Sequence, residues 1–227
     1  DKRIAALNNA TVIAGLAVLE SNGVLFRNLG VSSWDDVWAV GTAHPEWDGR
    51  SLTQLGTEMG KSPLQAWIDI LLATSFKASG CYFAMTEESV QRIMKHPRVM
   101  VGSDGGPARV GGIKATHPRR YGTFSRSIGH YARDLGLFSL EKAVNRVTGM
   151  VASRYGIPKR GQIAIGNYAD FTIFNKDQII EMATYQSMEQ YSRGIIHVII
   201  NGQFAVKDSQ PTGVHAGAVI RGPAYQA

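Results

Sequence analysis

Between positions 99 and 123 the chain sets one carboxylate, one imidazole and several guanidinium groups into an apolar, glycine-rich background. The apolar run Val99-Met100-Val101 leads into Gly102-Ser103-Asp104-Gly105-Gly106-Pro107, and His117-Pro118-Arg119-Arg120-Tyr121-Gly122-Thr123-Phe124 follows after a loop. An apolar strand that ends in one carboxylate and opens into a basic, glycine-rich loop is how a parallel barrel strand delivers a catalytic acid to its mouth. A carboxylate at Asp104 can serve as a general base or as a metal ligand, and Gly102 and Gly105 allow close approach to the backbone. The same Ser-Asp-Gly also suits a turn or a helix cap, so spacing alone leaves both readings open.

Arg119 has the two-pronged geometry to clamp a substrate carboxylate, which a lysine cannot match, and it equally suits a surface pair with a local acid. His117 can donate a hydrogen bond or titrate near neutral pH, while a lone histidine before proline also fits a structural role. Other chemistries find no motif. The histidines at 44, 96, 117, 130, 197 and 215 form neither a His-x-His pair nor a His-Glu-x-x-His helix. The glycines of 105–112 match neither a P-loop nor a dinucleotide fingerprint, and there is no Gly-x-Ser-x-Gly elbow.

The elements that must position these groups read as α/β. The alanine-rich stretch 4–19 predicts a helix, and Val37, Trp38 and Val40 a short buried strand. Ser51 with Gln54, and Ser62-Pro63 with Gln65, mark two helix starts separated by Gly60-Lys61. The second helix sets Leu64, Trp67, Ile68, Leu71 and Leu72 on one face. A further helix begins at Thr86, a strand is predicted over 98–102, and another helix opens at Ser139 with Leu140, Ala143, Val144 and Val147 inward. Such βα alternation argues a parallel sheet. From Gly161 the pattern becomes short strands, predicted over 162–165, 170–174, 195–200 and 203–206, with Asn201-Gly202 as the strongest hairpin signal.

The 227 residues can bury a real core, and 44% hydrophobic with 19% charged residues excludes disordered, collagenous and coiled-coil classes. The net charge of +6 is spread along the chain, densest at Lys114, Arg119, Arg120, Arg126 and Arg133. That distribution favours an anionic small substrate over nucleic acid, which wants a continuous basic face. Cys81 is the single cysteine, so an intrachain disulfide and a cysteine-rich zinc knuckle are excluded, and a reducing compartment such as the cytoplasm is expected. The N-terminal Asp-Lys-Arg-Ile does not read as a signal peptide, and no apolar run has the length of a membrane span.

The ordered motifs resemble a known family. They are Gly102-Ser103-Asp104-Gly105, His117-Pro118-Arg119-x-Tyr121-Gly122-Thr123-Phe124-x-Arg126-x-x-Gly129, Thr148-Gly149-x-x-Ala152-x-Arg154-Tyr155-Gly156-Ile157, Gly166-x-Tyr168-Ala169-Asp170-Phe171 and Val198-x-x-Asn201-Gly202. Together they resemble the N-acyl-D-amino-acid deacylases, or D-aminoacylases, of the amidohydrolase superfamily. The resemblance implies the C-terminal part of a distorted (β/α)8 TIM-type barrel over 1–155, followed by strands of a small β-sandwich over 156–227. It implies a zinc-activated water attacking the amide of an N-acyl-D-amino acid, with Asp104 as catalytic acid/base and a possible metal ligand. Arg119, with His117 beside it, is implied to bind the substrate, the arginine holding its α-carboxylate.

The family's His-x-His, its zinc cysteine and its later histidines have no counterpart here, and Cys81 is in the wrong place to stand for that cysteine. The expectation is therefore a C-terminal half, inactive alone, whose Zn2+ ligands come from an upstream half or a companion chain, with no nucleic-acid or membrane partner. Two alternatives remain at this stage: a cyclic-amide hydrolase of the hydantoinase or dihydroorotase kind, and a non-catalytic half-barrel that binds without turnover.

Overall fold

The computed structural model describes residues 2–106, 109–111 and 117–222; Pro107 and Lys114 of the sequence reading lie outside the described residues. The chain divides into two compact units that interleave along the sequence: Asp1–Glu87, Gly111–Pro118 and Thr184–Glu189 form one, and the rest forms the other. The boundary expected at 155/156 falls inside the second unit.

The first unit opens with α1 (Lys2–Leu7), α2 (Ala10–Ser21) and α3 (Val24–Leu29). The single helix expected over 4–19 is broken because Asn9 takes an extended conformation and its side chain accepts the amide of Thr11, a new N-cap. After a 3-10 turn at Trp34–Asp36 come β1 (Val37–Val40), β2 (Arg50–Ser51), α4 (Leu52–Met59), α5 (Pro63–Ala73) and β3 (Ser79–Tyr82). Both serine starts form as read: the Ser51 hydroxyl accepts the Gln54 amide while the Gln54 side chain accepts the Ser51 amide, and Ser62 caps a helix with Pro63 in its first turn.

Val31, Trp34, Val37, Ala39, Leu52, Leu55, Leu64, Ile68 and Ile70 make the core of this unit. On α5, Leu64, Ala66, Ile68 and Ile70 are buried, while Trp67, Leu71 and Leu72 of the expected face are partly buried against the same core; α4 and α1 both pack on this helix.

The second unit contains α6 (Glu87–Lys95), α7 (Arg119–Arg126) continuing into a π-helical stretch (Ser127–Asp134), α8 (Leu140–Val147) and α9 (Gly149–Tyr155). A sheet of β4 (Phe171–Phe174), β5 (Ile195–Ile200), β6 (Gln203–Lys207) and β7 (Gln210–Pro211) follows in that spatial order. The β5–β6 turn is Asn201-Gly202 with φ of 50° and 80°, both in the left-handed region that a two-residue hairpin of this hand needs. Ile128, Tyr131, Ala132, Phe138, Ala143 and Ile179 form its core, with Val90 and Met94 of α6 packed against them.

Two expectations are corrected. The described sheets, β2-β1-β3 and β4-β5-β6-β7, are antiparallel throughout, so the parallel sheet inferred from alternation is not formed by these residues. Residues 98–102 and 162–165 are extended or turn-like and not strands, since no described strand lies beside them to complete a ladder. No single described helix is long and apolar enough to cross a membrane.

Candidate active site

Asp104 sits at a backbone φ of 49°, in the left-handed region that non-glycine residues seldom occupy. The turn is closed locally by the Gly105 amide donating to the Ser103 hydroxyl at 3.2 Å. This conformation turns the carboxylate outward, 85% exposed. Gly105 then passes so close to α7 that a Cβ there would stand 3.1 Å from the Arg120 Cα. The close approach sets the carboxylate beside the first turn of that helix, whose first residue is Arg119. Arg119 Nη2 lies 2.8 Å from Asp104 Oδ2, with 43% of the arginine side chain exposed.

The segment leading into Asp104 is held from α8. Arg146 is 3% exposed and donates to the carbonyls of Met94 and of His96, the latter at 2.9 Å, while its own carbonyl accepts the Val101 amide at 3.3 Å. Its guanidinium lies 4.3 Å from the centre of the Phe138 ring, and burial pushes its pKa below the usual arginine value. In place of the strand ladder predicted over 98–102, the Val101 amide bonds the Arg146 carbonyl, and the other two ties hold the residues just before that stretch. Sequence reading missed Arg146 because it occupies a polar-looking slot between the inward positions 143 and 147. The available signal was a charged residue within the apolar periodicity of α8.

Behind Arg119, α7 is anchored by Arg126, whose Nη1 lies 2.5 Å from Glu181 Oε1, and by Ser192, whose hydroxyl donates to the Tyr121 carbonyl at 3.1 Å. Burial pulls the Arg126 pKa down, but bonds to Tyr131 and Glu181 outweigh it and hold the guanidinium above its ordinary value. Arg133 pairs with Asp134 and donates to the Ile179 carbonyl at 2.7 Å. Arg119, Arg126 and Arg133 of the basic group thus each have an acidic partner.

His117 belongs to the first unit, where its Nε2 lies 3.4 Å from the Tyr185 hydroxyl and the rings meet edge to face at 5.2 Å. Tyr185 in turn stands edge-on to Phe83 at 4.8 Å and Trp38 at 5.9 Å. Gly49, with φ of 74°, makes room for this segment: a Cβ there would come within 2.6 Å of the Tyr185 carbonyl oxygen. The structure therefore brings Asp104 and Arg119 together and seats His117 against Tyr185 in an aromatic cluster.

Among the described residues no three His, Cys, Asp or Glu side chains converge as a metal site. Cys81 is buried in β3. The described residues do not by themselves fit a zinc ion. What the Asp104–Arg119 arrangement can do is hold or pass a proton at an exposed carboxylate, with a guanidinium alongside to bind an anion.

The chain is 36% identical over 208 residues to the D-aminoacylase of Alcaligenes xylosoxydans xylosoxydans, covering 92% of this chain and 40% of that protein. It is also 36% identical over 180 residues to the N-acyl-D-glutamate deacylase of the same organism, covering 79% and 35%. It therefore spans only about two fifths or less of the length of these relatives. Among solved structures, a D-aminoacylase described for its binuclear metal centre superposes with a TM-score of 0.67 at 37% identity, over 80% of this chain and 36% of that one. The N-acyl-D-glutamate deacylase from Bordetella bronchiseptica, complexed with zinc and a phosphonate mimic of the tetrahedral intermediate, gives 0.63 at 33% identity, over 82% and 38%. With the model of the amidohydrolase family matching residues 54–206, this chain belongs to that family.

Proposed function

We propose that this chain is the C-terminal part of a zinc-dependent hydrolase that cleaves N-acyl-D-amino acids to a carboxylate and a free D-amino acid. The observation that carries the proposal is the Asp104–Arg119 pair, a proton carrier 2.8 Å from an anion clamp, in a chain of this family. Family membership and the likeness to D-aminoacylase support assigning 1–155 to a (β/α)8 barrel and 156–227 to a small β-sandwich in the complete enzyme. Zinc belongs to the proposal as the complete enzyme's cofactor, with ligands mainly on the remainder of the enzyme or on a companion chain and Asp104 as the candidate ligand from this one. This chain contributes the groups that move the proton and orient the substrate.

Arg119 binds the substrate's α-carboxylate through its fork of N–H donors, which fixes the D-configured carbon and points the amide toward Asp104. The ion pair now joining Arg119 to Asp104 is largely exposed and worth about 1 kcal/mol or less, so an incoming carboxylate can take its place. Asp104, released, takes a proton from the attacking water and passes it to the departing amine nitrogen.

Replacing Asp104 by Asn in the complete enzyme tests this. An exposed side chain contributes little to folding, while loss of general acid/base catalysis lowers kcat about 10²- to 10⁴-fold. Full activity in the Asp104→Asn enzyme, with unchanged melting behaviour, would overturn the reading.

A further inference from the structure

Glu181 touches neither Asp104 nor Arg119 in the pairs above, yet it meets the helix that carries Arg119 at two points. Gly122, in the middle of α7, faces it so closely that a Cβ at 122 would lie 2.6 Å from the Glu181 Cβ. Arg126, at the last residue of α7, is paired with its Oε1. The two points are four residues apart, on one face of the helix. The Glu181 side chain is 16% exposed, and its Oε2 is buried with no hydrogen-bond donor among the described residues. A carboxylate so enclosed needs its cationic partner, so the Arg126 contact fixes Glu181 and α7 to each other. At the opposite end of the helix, Gly105 admits the Arg120 backbone. The helix is thus seated by glycine at both contacts, with the Arg126–Glu181 ion pair and the Ser192–Tyr121 hydrogen bond holding it along its length.

Arg119 stands about 10 Å along the axis from Arg126, seven residues at the α-helical rise. A rigid helix transmits a shift at one end to the other, and a clamp acting on a carboxylate tolerates only small misplacement. From this geometry we infer that Glu181 is a positioning residue for substrate recognition: with Gly122 and Arg126 it sets the axial position of α7, and so the place at which Arg119 meets the substrate's α-carboxylate. The inference rests on the reading of Arg119 as the carboxylate clamp. Glu181 acts through the placing of Arg119, and its pair with Arg126 lies at the far end of α7 from Asp104.

The test uses the complete enzyme, with an N-acyl-D-amino acid and its uncharged C-terminal amide as paired substrates. Glu181→Gln, close to isosteric, lowers kcat/KM for the acid about tenfold and leaves kcat/KM for the amide within about twofold. Gly122→Ala, which pushes α7 from the same contact, reproduces that pattern. In an Arg119→Ala background Glu181→Gln changes neither substrate by more than about twofold, because its effect passes through the arginine. Equal losses for acid and amide, or a fall in kcat that persists in the Arg119→Ala background, assign Glu181 to general structure and overturn the inference. Should Glu181→Gln fail to fold, the Gly122→Ala pattern decides the matter on the same readouts. If Arg119→Ala alone leaves the preference for the acid intact, the clamp reading fails and this inference with it; if that preference is lost while Glu181→Gln and Gly122→Ala keep it, the inference alone fails.

Discussion

The α4–α5 hairpin of the first unit and the segments 94–106 and 119–126 of the second, both built on short helices, are secured in opposite ways. In α4–α5 the instructions are local: Ser51 with Gln54, Ser62 with Pro63, and Gly60 at φ of 63° closing α4 all act within a few residues. Its packing is apolar, with Leu52 and Ile70 fully buried and Leu55 nearly so. Segments 94–106 and 119–126 have an exposed carboxylate at a left-handed φ and a helix that begins on an exposed arginine, and their anchors, Arg146 and Glu181, lie far along the chain. A scaffold is made stable by burying carbon, whereas a site that keeps its charges in solvent has to be held by polar ties from elsewhere.

Removing an anchor from each region separates the two modes. Leu55→Ala leaves a cavity in the first core, and comparable truncations cost about 2–5 kcal/mol. Chemical denaturation should show that loss in full, while kcat of the folded enzyme stays near its starting value. Arg146→Met removes charge-assisted bonds to the Met94 and His96 carbonyls, the latter keeping the Val99 amide as a donor, a loss of about 2–3 kcal/mol. Here stability is the lesser consequence: hydrogen exchange should speed up at 98–102, and kcat should fall because the tether of the Asp104 segment is gone. If Arg146→Met loosened the whole second unit evenly, with no preference for that segment, the tether would not be specific.

The same contrast explains what could be read from the chain. Caps at Ser51, Ser62 and Ser139 and the Asn201-Gly202 hairpin are written in neighbouring residues, and each forms where expected. Asp104 and Arg119 stand out in the sequence by residue type and by the resemblance of their motifs, and their mutual pair at 2.8 Å is seen only in the structure. What escaped was the means of support. Residues 98–102 have the apolar composition of a strand but are tied to an arginine on α8, and Val99-Met100-Val101 carries no trace of that partner. The seat of α7 lies with Glu181, whose sequence surroundings give no hint of an arginine 55 positions away. The Asn9 cap was overlooked because the alanine-rich pattern around it masked a side chain able to start a new helix.

The smallest effect separates local from distant pairing by pH. Asp69 is pushed up by burial, but Lys61 and Gln65, both within reach of one helix start, outweigh that and hold its carboxyl below the ordinary range. Asp170 is likewise pushed up by burial and brought lower by the Asn201 amide, at 2.8 Å from Oδ1, and by Arg160, which also bonds the Asn201 side chain at 2.6 Å. Both carboxyls are depressed in the folded state, so each adds stability that is complete above the unfolded value of about 4 and is lost as pH falls through the folded value. Wild-type stability should therefore decline below about pH 4, with both Asp→Asn variants showing a shallower decline. The Asp170→Asn curve should flatten more, because that carboxylate joins β4 to the β5–β6 turn across 31 positions while Asp69 joins residues whose helix is already capped. Equal flattening would mean that chain separation adds nothing to the strength of such a tie.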